Sequence, residues 1–205
     1  MATRKGPGLA LWGLGLFVAL LPLFWFSDLD LWLSRLAYGP EAPHWPHQND
    51  LLWHLLYRFG EPPGLLLGFL GGLGFALSYS IENLRPYRKL GLYLFAVLLV
   101  GPGLLVNVLG KGMAGRPRPW ETTDFGGVAQ FLRPFQFGIR GSGRSFLSGH
   151  ASMAFYFFSL YFVFDGAKAR WALGLTLLFG TLMGIARILQ GAHFLSDVLL
   201  CGALM

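Results

Sequence analysis

Long uncharged blocks alternating with short charged ones organise this chain. Gly8 to Phe26 carries no charged residue and matches the roughly 20 apolar residues a helix needs to cross a bilayer. It leads into Ser27-Asp28-Leu29-Asp30 with no small-x-small cleavage site, so it reads as a first helix rather than a cleaved leader. The segment from Asp28 to Glu61 differs, because acids, His44, His47, His54 and several prolines interrupt its apolar residues. Trp32, Trp45, Trp53 and Tyr57 are spread through it, which predicts short amphipathic helices at the membrane surface with rings at headgroup level. Further apolar blocks predict helix 2 over about Pro62–Ser80, helix 3 over Leu90–Gly110, helix 4 over Ser148–Phe164 and helix 5 over Trp171–Ile188. Asp165 to Arg170 reads as a short loop. A sixth helix starts near Phe194 and has only the residues up to Met205, so it is expected to be incomplete in this sequence.

Composition agrees with that division. Of 205 residues, 54% are hydrophobic and only 13% charged, against nearer a quarter charged in soluble domains. Mean hydropathy is +0.53, and the 29 glycines suit membrane helices better than soluble ones. The expected fold is therefore all-α: a polytopic six-helix membrane bundle with interfacial helices, forming one domain over 1–205. The net charge of +6 would suggest nucleic acid in a soluble protein. Here Arg4, Lys5, Arg85, Arg88, Lys89, Lys168 and Arg170 flank apolar spans, as cytoplasmic loops do. No nucleic-acid partner is expected. The lone Cys201 lies in an apolar run and reads as a buried small side chain.

Charge and parity together single out one face. With the N-terminus inside, helices 1, 3 and 5 end outside and helices 2, 4 and 6 begin there. Lys111 and Arg118 follow helix 3, Ser148, Gly149 and His150 open helix 4, Arg187 and His193 close helix 5, and Asp197 lies one turn into helix 6. All are expected at the outer face. The stretch from Lys111 to Arg144 holds Lys111, Arg116, Arg118, Arg133, Arg140 and Arg144 against only Glu121 and Asp124, the reverse of the usual inside bias. An anionic substrate would account for it, as would a long solvated loop.

The residue types suit phosphoryl transfer, which depends on positioning and on stabilising charge over phosphate oxygens. Arg118 and Arg187 offer planar forks for two oxygens at once, and Lys111 a point charge. Ser148 sits at the expected N-cap of helix 4, where backbone N–H groups, including that of Gly149, point at an anion. Two imidazoles serve a two-step transfer, one attacking phosphorus and one protonating the leaving oxygen and then activating water. Asp197 follows His193 by four residues, on the same helical face, and a carboxylate behind a ring fixes its tautomer. That makes His193 the expected nucleophile and His150 the acid/base. Arg133, Arg140 and Arg144 are candidates for recognising the rest of a headgroup. An acid inside a spanning segment is costly and usually functional, which strengthens Asp197. His44, His47 and His54 lack accompanying cysteines and sit beside Trp45 and Pro46, so a zinc site is not expected there.

At these positions the chain resembles the type 2 phosphatidic acid phosphatase superfamily. "KGMAGRPRP" fits its first motif, Lys-x6-Arg-Pro; "FLSGH" is similar to its second, Pro-Ser-Gly-His; "ARILQGAHFLSD" is similar to its third, Ser-Arg-x5-His-x3-Asp. Leu147 stands where the family usually has proline, and Ala186 where it usually has serine. Loss of the proline removes only a preset helix start. Loss of the serine hydroxyl either weakens the grip on phosphate or is covered by Arg144 or Ser145. The resemblance implies a metal-independent enzyme without cofactors, acting through a phosphohistidine, and the sequence holds no acidic cluster of the kind Mg²⁺ needs.

The leading expectation is a bacterial inner-membrane lipid phosphatase with its site facing the periplasm. Candidate substrates are undecaprenyl diphosphate, other isoprenoid phosphates, phosphatidylglycerophosphate, phosphatidic acid and the phosphates of lipid A. The basic outer loop leans toward a multiply charged headgroup, and "DLDLWLSRLAY" resembles the lipid A-modifying members. A lipid-to-lipid phosphotransferase is the alternative within the same site. A lipid transporter using Arg187 and Asp197 is the alternative from another class.

Overall fold

The computed structural model describes residues 8–139 and 141–205. Among the described residues the secondary structure is helical, with a single isolated bridge between Thr122 and Ala129. Helix α1 (Gly8–Phe26) is followed by α2 (Leu29–Ala37) and α3 (Leu51–Phe59), the two short helices expected from the aromatic-rich segment. Then come α4 (Pro62–Leu77) and α5 (Arg88–Leu98), the latter running on through a wide, π-type stretch (Leu99–Gly110) into α6 (Lys111–Ala114). A long loop leads to α7 (Gly149–Phe155) and α8 (Ser159–Val163), and the chain closes with α9 (Gly166–Leu189) and α10 (Leu195–Leu204).

Proline accounts for the start of α4 and for the widened stretch. Pro62 and Pro63 open α4, where a missing N–H is harmless. Pro102 lies inside the widened stretch; its ring removes a helical donor and crowds the preceding turn, and Asn107 Nδ2 donates back to its carbonyl at 2.7 Å. Two expected boundaries shift. Residues 166–170, expected as loop, form the first turns of α9, and the helix expected over Ser148–Phe164 is broken by a 3₁₀ turn at Tyr156–Phe158. Arg4 and Lys5 lie outside the described residues.

Among the described residues, two stretches are long and apolar enough to cross a membrane, Glu82–Glu121 and Gly166–Leu189, and a third arises if the pair Leu11–Phe26 and Leu29–Ala37, bent by 77°, is one span. α1 leaves Leu11, Trp12, Leu14, Leu16 and Val18 exposed. An apolar surface of that extent suits lipid better than water. Small residues let the helices close on one another. Gly68, Gly71 and Gly72 of α4 lie against Leu98, Leu94 and Phe95 of α5. Gly180 of α9 and Gly202 of α10 both face the Phe155 ring of α7.

The core cluster gathers where these elements meet. It includes Val106, Phe146, Leu147, Ala151, Phe155, Phe194, Val198, Leu200 and Cys201. Cys201 is fully buried, its thiol directed at the Ser148 carbonyl at 3.4 Å. The loop between α6 and α7 is packed down rather than solvated: Trp120 N donates to Gly191 O, Gly138 N to Ala114 O and Ser145 N to Arg116 O. Gly191 turns the chain between α9 and α10 with φ of +64° and the buried Trp45 ring directly against it. A side chain there would be strained and would collide with the indole.

Candidate active site

Three chain segments far apart in sequence meet at one end of the bundle. The helix-start geometry is explicit at α7: Ser148 has extended φ/ψ, and its hydroxyl accepts from Ala151 N at 3.3 Å. Ser148 N in turn donates to the Asp197 carbonyl at 3.2 Å, tying the start of α7 to α10. Lys111, in the last turn after the π-type stretch, lays its ammonium over Gly149, so that any larger residue there would collide with it. A side chain at 149 would have to displace the Lys111 ammonium, so glycine preserves that close approach.

His193 lies in the turn between α9 and α10 and is 2% exposed. Its Nδ1 is 3.6 Å from Asp197 Oδ2, an ion-pair separation too long for a hydrogen bond, and has no hydrogen-bond partner. Asp197 Oδ2 instead accepts from Phe194 N at 2.9 Å and from Ser145 Oγ at 2.5 Å. Burial pushes the His193 imidazole down to about 4; Asp197 pulls it up, and the charges of Arg187 and Arg118 reinforce the fall. The ring is therefore neutral at physiological pH, with a lone pair free to attack.

Arg187, near the end of α9, is buried; it donates to Gln190 Oε1 at 2.6 Å, while its Nε has no partner. A buried, unpaired guanidinium N–H is costly to leave unmade, and an anion beside it would remove that cost. Its Cζ also lies 4.7 Å from the centroid of the Tyr57 ring. Arg118 sits over Trp120 at 4.9 Å, with its charge within reach of Lys111, His193 and Arg187. His150 packs face-on against Tyr57, ring centroids 5.0 Å apart at 27°, and Nδ1 is 3.4 Å from Glu61 Oε1. Burial first, and then the charges of Arg187, His193, Lys111 and Arg118, push its imidazole down to about 3. The result is a ring of cations around two imidazoles, a place where a tetrahedral phosphate can be gripped on several oxygens and approached by nitrogen.

The outer basic residues divide. Arg144 is exposed, within electrostatic reach of Lys111. Arg140 lies outside the described residues. Arg133 is clasped to the end of α1: it donates to Ser27 O at 2.7 Å and Phe24 O at 3.1 Å, and pairs with Asp28 at 3.0 Å. Its guanidinium satisfies the orphan carbonyls of a helix C-terminus. Arg116, grouped by sequence with the substrate-attracting charges, is corrected outright. It is 1% exposed and donates to Asp30 at 2.8 Å, Asp197 at 2.5 Å, Ser196 Oγ at 2.8 Å and Leu132 O at 2.8 Å. Phe194 and Phe131 cover its guanidinium at 4.6 and 5.5 Å. Each of its three nitrogens donates to protein.

Several contributors escaped the sequence reading. Asp30 accepts from Ser196 N at 2.8 Å and Ser196 Oγ at 2.6 Å besides Arg116; an acid inside an apolar run was its available signal. Gln190 joins Arg187 to the Trp53 carbonyl at 3.3 Å. Glu61 and Tyr57 carry no local signature. Ser145, one of two candidates to replace the missing hydroxyl at Ala186, gives its only proton to Asp197. His44, His47 and His54 engage Gly39, Asp50 and Tyr57 respectively.

Residues 89–205 match the PAP2 superfamily. The chain belongs to that superfamily. Relatives over most of the length agree with the membership. The lipid A 4'-phosphatase of Francisella tularensis subsp. novicida (strain U112) is 34% identical over 180 residues, covering 86% of this chain and 81% of that protein. The lipid A 4'-phosphatase of Rhizobium leguminosarum is 42% identical over 200 residues, covering 89% and 85%. That of Rhizobium etli is 32% identical over 212 residues, covering 90% and 82%. No solved structure matches this PAP2 superfamily member.

Proposed function

We propose that this chain is a bacterial membrane lipid phosphatase that removes the 4′-phosphate of a lipid A-type headgroup through a phosphohistidine on His193. The observation that carries the reading is the His193–Asp197 pair, buried and enclosed by Lys111, Arg118 and Arg187. The lipid A 4'-phosphatase relatives favour that substrate over the other lipid phosphates.

The chemistry runs in two displacements. The His193 lone pair attacks phosphorus as the P–O bond to the lipid breaks, and His150 gives its proton to the departing alkoxide. His150, now neutral, takes a proton from water; the hydroxide attacks phosphorus and the P–N bond breaks, releasing inorganic phosphate. Asp197 supports the charge that His193 gains. Arg118, Arg187, Lys111, the Ser148 hydroxyl and the Gly149 N–H hold the equatorial oxygens, and Arg144 meets the rest of the headgroup, with Arg140 proposed beside it. No metal enters this scheme. The architecture we propose is a single domain over 1–205, with six spans in the inner membrane and the site at the periplasmic face.

The test is phosphate release from a lipid A bisphosphate in detergent with EDTA present. Free phosphate and the monophosphorylated lipid are the expected products. A phosphorylated acceptor lipid without free phosphate would make the enzyme a transferase. Release from undecaprenyl diphosphate or phosphatidic acid but not from lipid A would replace the substrate.

A further inference from the structure

The catalytic histidine His193 has a carboxylate behind it, and the second imidazole has one as well. Glu61 stands at the junction of α3 and α4, immediately before the two prolines that open α4, with Oε1 3.4 Å from His150 Nδ1. Tyr57, one turn earlier on α3, lies face-on against the His150 ring and takes the Arg187 guanidinium against the same ring. The elbow is itself fixed: Gln190 binds Arg187 on one side and the Trp53 carbonyl on the other, and Gly60 packs against Met183 of α9. The groups acting on His150 are thus Lys111, Arg118, Arg187 and His193, all cations or imidazole, and the Glu61 carboxylate stands against them.

That arrangement conflicts with the chemistry asked of His150. A general acid must carry a proton when the lipid alkoxide departs, and burial together with a surround of cations expels it. We propose that Glu61 and Tyr57 are positioning residues for His150, contributed by the interfacial elbow, and that Glu61 keeps this imidazole protonated long enough to act. With Nδ1 directed to the carboxylate, Nε2 is the nitrogen left to donate to the leaving oxygen. Tyr57 holds the ring plane and sets the distance between His150 and Arg187, so that the proton donor and the phosphate clamp move as one unit. A lipid alkoxide is a poor leaving group and needs that proton; p-nitrophenolate does not.

The inference rests on His150 being the acid, and the experiment separates the two. Full-length protein in detergent is assayed on lipid A bisphosphate and on p-nitrophenyl phosphate, across pH, for parent, Glu61→Gln, Glu61→Asp, Tyr57→Phe, Tyr57→Leu and His150→Ala. Removing the carboxylate favours the neutral imidazole, so Glu61→Gln should move the alkaline limb of kcat on the lipid downward by about one pH unit. It should also slow the lipid on the order of tenfold at pH 8 through the lost protonated fraction. Glu61→Asp, which keeps the charge, should recover part of the limb. Tyr57→Leu should lose rate on the lipid, and Tyr57→Phe, which keeps the ring, should recover part of that loss. A Glu61→Gln profile with an unmoved limb, or with equal losses on both substrates, overturns the inference while His150→Ala still discriminates between leaving groups. Equal losses for His150→Ala would instead overturn the acid assignment, and the role of Glu61 with it.

Discussion

Arg116→Met tests whether a basic residue in the outer loop attracts substrate or holds the protein together. The side chain bridges two buried carboxylates, Asp30 on α2 and Asp197 on α10, with Ser196 and Leu132 taking its remaining donors. Methionine fills similar volume but leaves both acids without a counter-charge. Breaking a buried pair by removing one partner costs about 3–5 kcal/mol. Asp30 retains two donors from Ser196 and Asp197 retains Phe194 N and Ser145 Oγ, which places the loss near the lower end, about 3 kcal/mol. For a domain of this size that is roughly 6–12 °C in Tm. Unfolding followed by circular dichroism in detergent measures it, alongside phosphoenzyme formation with labelled substrate. Arg116→Lys keeps one charge but cannot fork between two acids, so it should fall between parent and Met. In a double-mutant cycle, Asp30→Asn should soften the effect of Arg116→Met, because one of the stranded charges is then absent. The argument is refuted if Arg116→Met keeps its Tm within about 1 °C while KM rises and the rise is mimicked by salt, the behaviour of an exposed phosphate-attracting charge.

Three further outcomes are expected. His193→Ala should abolish turnover and any acid-labile phosphoenzyme with the fold retained by circular dichroism, and a phosphohistidine trapped at another position would remove its role. Arg133→Ala should lower Tm with little effect on KM, since its guanidinium closes the end of α1, whereas Arg144→Ala should raise KM for a multiply charged lipid at near-normal kcat; the reverse pattern would exchange their roles. Stability should also depend on pH through His193. Its folded pKa of about 4 lies below the roughly 6.5 of the unfolded ring, so the unfolded chain takes up a proton the native state refuses. Stability should be greatest above pH 6.5 and fall as pH drops toward 4, and His193→Gln should flatten that fall in a Tm–pH series.

Much of this protein is legible in its sequence because the signals concerned are local. α1 spans Gly8–Phe26 as hydropathy predicts, since an uncharged apolar run of that length is close to what a membrane-crossing helix needs. Two short helices, α2 and α3, appear where aromatic and charged residues intermix. Ser148, Gly149 and His150 declare themselves by their place at a helix start, and His193 and Asp197 by a four-residue spacing within one turn. What the sequence could not decide is which charges face substrate and which face protein. Arg116 and Arg118 are two residues apart and read alike, yet one is fully buried between acids 86 and 81 positions away and the other joins the ring of cations around His193. Glu61 and Tyr57 become part of the site only because the α3–α4 elbow folds over the end of α9. Hydropathy and spacing report on neighbours along a helix; the partner of a buried charge is chosen by the packing of distant helices, and only the tertiary structure holds that information.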